Sequence, residues 1–555
     1  MNEFNDNAAK RFNFISEIYQ LGVDEEKRRI LNTLPQEWSS LHQEGAIHIH
    51  DLEGYGKIYN CCTPNLRLWL KKHTDRLPKS QNGIIQQVFS SIKTLISSLA
   101  VCQTGGIGFS NFDTDLSETF EELDVVPSNS TVLFLEESTQ DFIEWINKTH
   151  TRYSREPYYL TLNIGLDTSI WGRAISHAIL DAFLRAPNSY SRPNIVFKVN
   201  NSKNGKDAPN YDLLQLALRC SALRMIPTYL LTDSIVNKSC DPKKISIMGC
   251  RTRVYENRNG EIGSLGRGNI ACVSINLPQI ALKSTCDKHF FSLLDIILIS
   301  ARNILMHRAK EMHRLGPQYL QFVIDNEIWN ATSIDGIIKN GTLSIGFIGI
   351  SECVEILTGS PPFESRNSEE LAIRITNYIR NIVNDYKEET GYNFSLLGTP
   401  GELISGRFCQ IDSVHYPHYV QQKGFYTNSF HANVNAKLSI FQKIDLESPF
   451  HVLCNGGCIT YVELGAAPLG NIEALHDIIG YASEKGISYL GFNFPYDLCR
   501  NCGLLGTFDE CPSCGSLDVM RLRRVSGYIE EVTHFTEGKI AEVQARKANS
   551  NKVYL

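Results

Sequence analysis

The sequence predicts a parallel α/β body followed by a small, separate C-terminal module. Two observations carry the first part: short apolar runs alternate with helical stretches along most of the chain, and several runs end in Gly or Asn, where an α/β barrel places its working loops. A change of composition carries the second. From Leu498 onward the chain is rich in Cys, Gly and Arg and has few long apolar runs. The expected division is therefore 1–497 for N-terminal helices and the α/β body, and 498–555 for the module.

The elements follow in order. AAKRFNFISEIYQLG and EEKRRILNTLPQEWSSLHQEG carry apolar residues at helical spacings, with a proline break in the second. AIHIHDLEGYGKIYNCC, an alternating, aromatic, loop-like stretch, comes next. The strand candidates are YYLTLNIG, PNIVFKVN, MIPTYLLT, VSINLPQIAL, TLSIGFIGI, HVLCNGGCITYVELG and ISYLGFNFP. No repeat, heptad array or low-complexity tract interrupts them.

Bulk properties exclude several classes. At 555 residues with 42% hydrophobic and 21% charged residues, the chain has ample material for a large core and is not disordered as a whole. A net charge of -6 argues against a nucleic-acid-coating protein, which needs a concentrated basic surface. The polar start MNEFNDNAAKRFNF has no secretory apolar stretch, and Asp295 and Arg302 break FFSLLDIILISARNILM, so a buried or amphipathic helix is expected there and no membrane span. A cytoplasmic location follows. Sixteen cysteines in a reducing compartment point to metal binding and thiol chemistry, since a disulfide framework suits short secreted chains.

Four of those cysteines have metal spacing. LCRNCGLLGTFDECPSCGSLD sets Cys499 and Cys502, then Cys511 and Cys514, as two C-x-x-C pairs, each followed by glycine. Each pair presents two thiolates from a tight knuckle, and two knuckles complete a tetrahedral site. A closed four-thiolate set favours structural zinc, with an iron centre on the same ligands as the alternative. Such an ion folds a segment too short to bury enough apolar surface by itself.

Directly behind this knuckle stands RRVSGYIEE, whose Gly527 is either a turn glycine or something chemical. RVSGY resembles the motif of the glycyl radical enzymes, in which the α-carbon of a glycine holds a stable radical. The wider pattern resembles the anaerobic (class III) ribonucleotide reductases. AIHIHDLEGYGKIYNCC, CQTGGIGFS, MGCRTRV, GRGNIACVSINLP, SIGFIGISE, ELISGRF, YTNSFH and NGGCITYVEL fall in that family's order, and the four-cysteine knuckle precedes the glycine as it does there.

The resemblance implies a ten-stranded α/β barrel of two antiparallel halves, each of five parallel strands, with a central loop carrying the radical cysteine. It implies anaerobic reduction of ribonucleoside triphosphates to deoxyribonucleotides, with the radical stored on Gly527 and passed to Cys250 of MGCRT. Cys61 of YNCCTPNL would be the reducing thiol, with Cys62 its neighbour and rival. Asn269 would serve the formate-dependent subgroup, with Asn276 the competing match. Cys272 keeps open a thioredoxin- or glutaredoxin-like electron supply. Thr427, Asn428, Ser429 and His431 of YTNSFHAN are candidate triphosphate contacts, as residues that begin a helix and offer its free N–H groups, though an ordinary helix cap explains the same letters.

The expected partners are nucleotide substrates and effectors, a second copy of the chain, and a separate activating enzyme that uses S-adenosylmethionine and a 4Fe-4S cluster to remove hydrogen from Gly527. Because HIHD is reached by position 48, an N-terminal ATP-cone and control through it are not expected. HIHD itself reads as structural histidines. Ser526 before the glycine is the form met in glycyl radical lyases acting on small acids or polyols, which is the first alternative. A non-catalytic zinc-ribbon regulator is the second.

Overall fold

The computed structural model describes residues 14–74, 78–151, 156–420, 423–524 and 527–549. Ten strands form its centre: β1 (Cys61–Thr63), β2 (Ile107–Phe109), β3 (Leu160–Ile164), β4 (Asn194–Val199), β5 (Thr228–Leu231), β6 (Arg267–Asn276), β7 (Thr342–Ile348), β8 (Asn393–Gly398), β9 (Thr460–Glu463) and β10 (Tyr489–Asn493). Their spatial order is β8-β7-β6-β1-β2-β3-β4-β5-β10-β9. Within β1 to β5 every pairing is parallel, as it is for β6 with β7, β7 with β8, and β9 with β10. The two junctions, β1 with β6 and β5 with β10, are antiparallel. A single parallel bridge, Leu397 to Gly457, joins β8 to the segment before β9 and closes the ring. The expected barrel of two opposed five-stranded halves is the fold observed.

Helices cover the outer face because parallel neighbours need crossovers, and these are made by helices packed on the sheet. Their starts are written in the sequence. Ser80 caps Gln81–Leu99, Ser128 makes a capping box with Thr131, and Ser439 makes another with Gln442. Every residue of β6 and β7 is buried, as expected for parallel strands covered on both sides. The apolar stretch around Asp295 lies in a 33-residue helix, Asp287–Tyr319, long and apolar enough by composition to cross a membrane. It packs against the barrel instead, burying Phe290, Leu294, Leu298, Ile304 and Leu305.

Two strand expectations need correction. VSINLPQIAL is a strand only to Asn276; Pro278 opens a helix, Leu277–Lys283, capped by the Asn276 side chain. In HVLCNGGCITYVELG the first residues finish a helix and the strand starts at Thr460. The other segments read as strands contain β3, β4, β5, β7 and β10.

Between β5 and β6 the chain turns into the barrel. Ile247–Met248 pairs with Thr252–Arg253 in an antiparallel hairpin whose tip is Gly249, Cys250 and Arg251. Buried Asn163 of β3 donates to the carbonyls of Phe109 and Ile247 and accepts from the Ile247 N–H, tying the hairpin to the first half. On the opposite side the Arg253 N–H donates to the Gly456 carbonyl, and Arg251 reaches the Gly398 carbonyl. Gly457 permits this approach: a Cβ there would collide with the Arg251 carbonyl and stand 2.6 Å from the Arg253 nitrogen.

After β10 a four-stranded antiparallel sheet forms from Tyr496–Cys499, Leu505–Gly506, Val519–Arg524 and Ile529–Glu531. It begins at Tyr496, two residues ahead of the expected boundary. A final helix, Glu537–Ala545, returns to the barrel beside Ile404–His415.

Candidate active site

A cavity of about 650 Å³ opens inside the barrel around the hairpin tip, and Cys61, Cys250 and Asn269 all line it. Three residues separated by up to 208 positions in the chain are thus brought to one space by β1, the hairpin and β6. Cys250 is held at the tip by the Gly249 carbonyl, which accepts from Thr161 at 2.9 Å. Burial pushes its thiol up to about 11, against a smaller pull from the Arg251 guanidinium. Burial also raises the Cys61 thiol, although the Gly106 N–H donates to its sulfur at 3.2 Å. Both sulfurs therefore keep their hydrogens near neutral pH.

Gly527 does not line the cavity, but Cys250 does and touches it. A Cβ built on Gly527 would run into the Cys250 Cβ and stand 2.6 Å from its Cα. Only glycine fits. Arg524, fully buried, donates to the Gly527 carbonyl at 2.8 Å and also to the Met225 carbonyl. Arg546 in turn donates to the Arg524 carbonyl and pairs with Glu542, both at 2.8 Å. A relay of two arginines from the last helix thus fixes the glycine opposite the hairpin. Ser526, with Val525, lies outside the described residues.

The paired candidates separate cleanly in space. Cys62 faces the core, where it donates to the Gln103 carbonyl oxygen at 3.2 Å and accepts from the Tyr59 hydroxyl. Asn269 faces the cavity, its amide anchored on Thr342 and Ser344 of β7. Asn276 caps a helix and bonds Asp412 at 2.9 Å, away from the cavity. Cys272 also lines the cavity.

Thr427, Asn428, Ser429 and His431 are all buried but are not among the cavity-lining residues. Their segment does not begin a helix. It forms a turn against the start of Ile350–Thr358, whose first amide donates to the Ser429 carbonyl at 3.1 Å. Thr427 donates to Glu352, and His431 meets Glu447 at 3.2 Å. Burial raises the Glu447 carboxyl, but His431 and Lys443 outweigh it and hold it at about 2. The side-chain amide oxygen of Asn428 and the Ser429 hydroxyl have no partner among the described residues.

Sequence reading alone missed several residues of the cavity. Asn60 accepts from the Cys61 thiol at 2.9 Å and donates to Asp51 at 2.9 Å. His50, first read as structural, lines the cavity and bonds Ser274 at 2.8 Å. Tyr528 lines it as well, and so does Glu402 of PGELISGRF, whose sequence reading is a structural or solvated glutamate in a barrel loop. Asn60 and Tyr528 each adjoin a motif already singled out, so adjacency to Cys61 and to Gly527 was the signal available.

The four cysteine sulfurs of the C-terminal sheet lie within 4.8 Å of one another, with Cys499 and Cys514 3.6 Å apart and Cys502 and Cys511 3.5 Å apart. Thiolates at about 2.3 Å from a tetrahedral ion stand roughly 3.8 Å apart, so the set fits such an ion without rearrangement. The two knuckles repeat each other. Gly503 donates to the Cys499 carbonyl at 2.9 Å with φ +77°, and Gly515 to the Cys511 carbonyl at 2.8 Å with φ +69°.

A sequence model of the anaerobic ribonucleoside-triphosphate reductase family matches residues 6–548. The chain belongs to that family. The anaerobic ribonucleoside-triphosphate reductase of Escherichia coli strain K12 is 33% identical to it over 566 residues, covering 92% of this chain and 78% of that one. The reductase of the same name from Enterobacteria phage T4 is 28% identical over 577 residues, covering 93% and 92%. Among solved structures, the anaerobic ribonucleotide reductase from Thermotoga maritima with glycerol in its active site shares the fold, with TM-score 0.74, 16% identity and coverage of 96% and 90%. This reductase is therefore an oxidoreductase acting on ribonucleoside triphosphates, and neither the lyase nor the zinc-scaffold alternative finds support.

Proposed function

We propose that this reductase stores its radical on Gly527, passes it to Cys250 and uses the Cys250 thiyl to take the 3′-hydrogen of the ribose. In that step the ribose C–H bond breaks and the Cys250 S–H bond re-forms. The 2′-hydroxyl then takes a proton and leaves as water, Cys61 delivers hydrogen to C2′ from the other face with the two electrons drawn from formate, and Cys250 returns its hydrogen to C3′, which regenerates the thiyl. Formate is the overall reductant, held beside Asn269 and released as carbon dioxide. The Thr427–His431 turn holds the triphosphate through the Ser429 hydroxyl and neighbouring polar groups. One observation carries the reading: Gly527 has no room for a side chain because Cys250 fills that space, and Cys250 shares its cavity with Cys61.

The four cysteines hold zinc, which supplies the cross-link that folds residues 498–555 into a module presenting Gly527. A separate S-adenosylmethionine enzyme with a 4Fe-4S cluster activates the glycine, the working form is a cytoplasmic homodimer, and nucleotide effectors set substrate choice. The test is anaerobic activation followed by EPR, then product analysis with CTP or ATP and either formate or a dithiol. A glycyl doublet with formate-dependent deoxynucleotide formation is expected. A Gly527→Ala protein that still gives the doublet would falsify the radical assignment.

A further inference from the structure

Tyr528 follows the radical glycine, and its side chain enters the reaction cavity. Its ring packs on Tyr159 with centroids 4.9 Å apart, and the Arg192 guanidinium lies over both rings at 5.5 and 5.1 Å. Arg192 is nearly inaccessible and is itself fixed by Glu530 at 2.7 Å. The ring is thus clamped on one side, and the hydroxyl is carried to the other, between the backbones of Gly106 and Gly249. A Cβ on Gly106 would stand 2.9 Å from that oxygen. The oxygen is buried and has no hydrogen-bond partner among the described residues. Cys250 and Cys61 are both close enough to act on it electrostatically, and burial raises its pKa well above the usual phenol range, so it is a neutral donor.

A buried hydroxyl without a partner is costly, and the chain keeps glycine backbone around this one as if reserving space. What enters between the two thiols is the sugar, if the reading proposed above is right. We infer that Tyr528 is a substrate-binding residue whose hydroxyl donates a hydrogen bond to a ribose hydroxyl oxygen. Because the same residue is the neighbour of Gly527, substrate in the cavity also restrains the glycine against Cys250. A base or phosphate contact is disfavoured by position, since the hydroxyl lies beside the two thiols.

The experiment uses the full-length, unactivated protein, so it does not depend on radical formation. Binding of CTP, ATP and their 2′-deoxy and 3′-deoxy analogues is measured by calorimetry for wild type and Tyr528→Phe, with thermal melting in parallel. Phe keeps the stacked ring and removes only the unpartnered oxygen, so an unchanged or higher melting temperature is expected, together with about five- to tenfold weaker ribonucleotide binding. The penalty should vanish for whichever deoxy analogue lacks the accepting oxygen. Equal affinity for the ribonucleotides in both proteins would overturn the inference, as would a penalty that persists in both deoxy analogues or a lowered melting temperature without a binding change. Failure of the wild type to reduce nucleotides after activation would instead count against the radical scheme.

Discussion

Two regions of this molecule are built on cysteine, and they place it in opposite surroundings. In the barrel, Cys250 and Cys61 line a cavity where burial raises both thiols, so that sulfur keeps its hydrogen near neutral pH. In the C-terminal knuckle, Cys502 and Cys514 are exposed and share protons with their neighbours: Cys514 is lowered to about 6 by the Asn501 amide and the Ser516 backbone N–H, while Cys502 is raised to about 12 beside Cys511. The contrast teaches that the role of a thiol here is set by its solvent and its donors. One environment suits exchange of hydrogen atoms, the other suits a cation.

The largest effect should come from removing the barrel side of this contrast. Cys250→Ala should lower turnover by at least about a thousandfold, because Cys250 fills the space beside Gly527 and lines the cavity. The EPR doublet of activated protein should survive; a variant that retains substantial deoxynucleotide formation would break the comparison. Next in size is the knuckle. Cys499→Ser should reduce bound zinc to near zero and expose residues 498–549 to protease, since structural zinc contributes on the order of 10 kcal/mol to the folding of such segments. The melting of the barrel should change little, and unchanged metal content would contradict a structural site.

The smallest effect is in pH dependence, and it sharpens the contrast. A thiol raised from 9.0 to about 11 in the folded state adds stability that is fully present below pH 9 and is lost as pH rises through 11. Iodoacetamide should therefore label Cys250 negligibly at pH 8 and progressively faster toward pH 11. In chelator-treated protein Cys514 should react already near pH 7. Mass mapping of the alkylated peptides distinguishes the two, and rapid Cys250 labelling at pH 8 would count against a buried thiol.

Much of this was legible in the sequence, for reasons that differ by element. β7 announces itself because burial on both faces favours a continuous apolar run, whereas β6, with Arg267, Asn269 and Ser274 inside it, was legible only in its last residues. β1 and β2 were not read as strands: each has three residues, and Cys61–Thr63 and Ile107–Phe109 look like loop until partners distant in the chain are known. β8, within YNFSLLG, was passed over among helical neighbours. In the site, spacing alone identified the knuckle, because its four ligands are local. The choice between Cys61 and Cys62, or Asn269 and Asn276, depends on which way a strand faces, and a strand flips that at every residue. The distance relation between Gly527 and Cys250 spans most of the fold and has no local signature.

The ring of strands closes on a single bridge, Leu397 to Gly457, and the hairpin bonds to that same seam through Gly456 and Gly398. The place of Cys250 is therefore a property of the closed ring: its hairpin is tied to Asn163 on one side and to the Gly398 and Gly456 carbonyls on the other, so neither half alone defines where that sulfur stands.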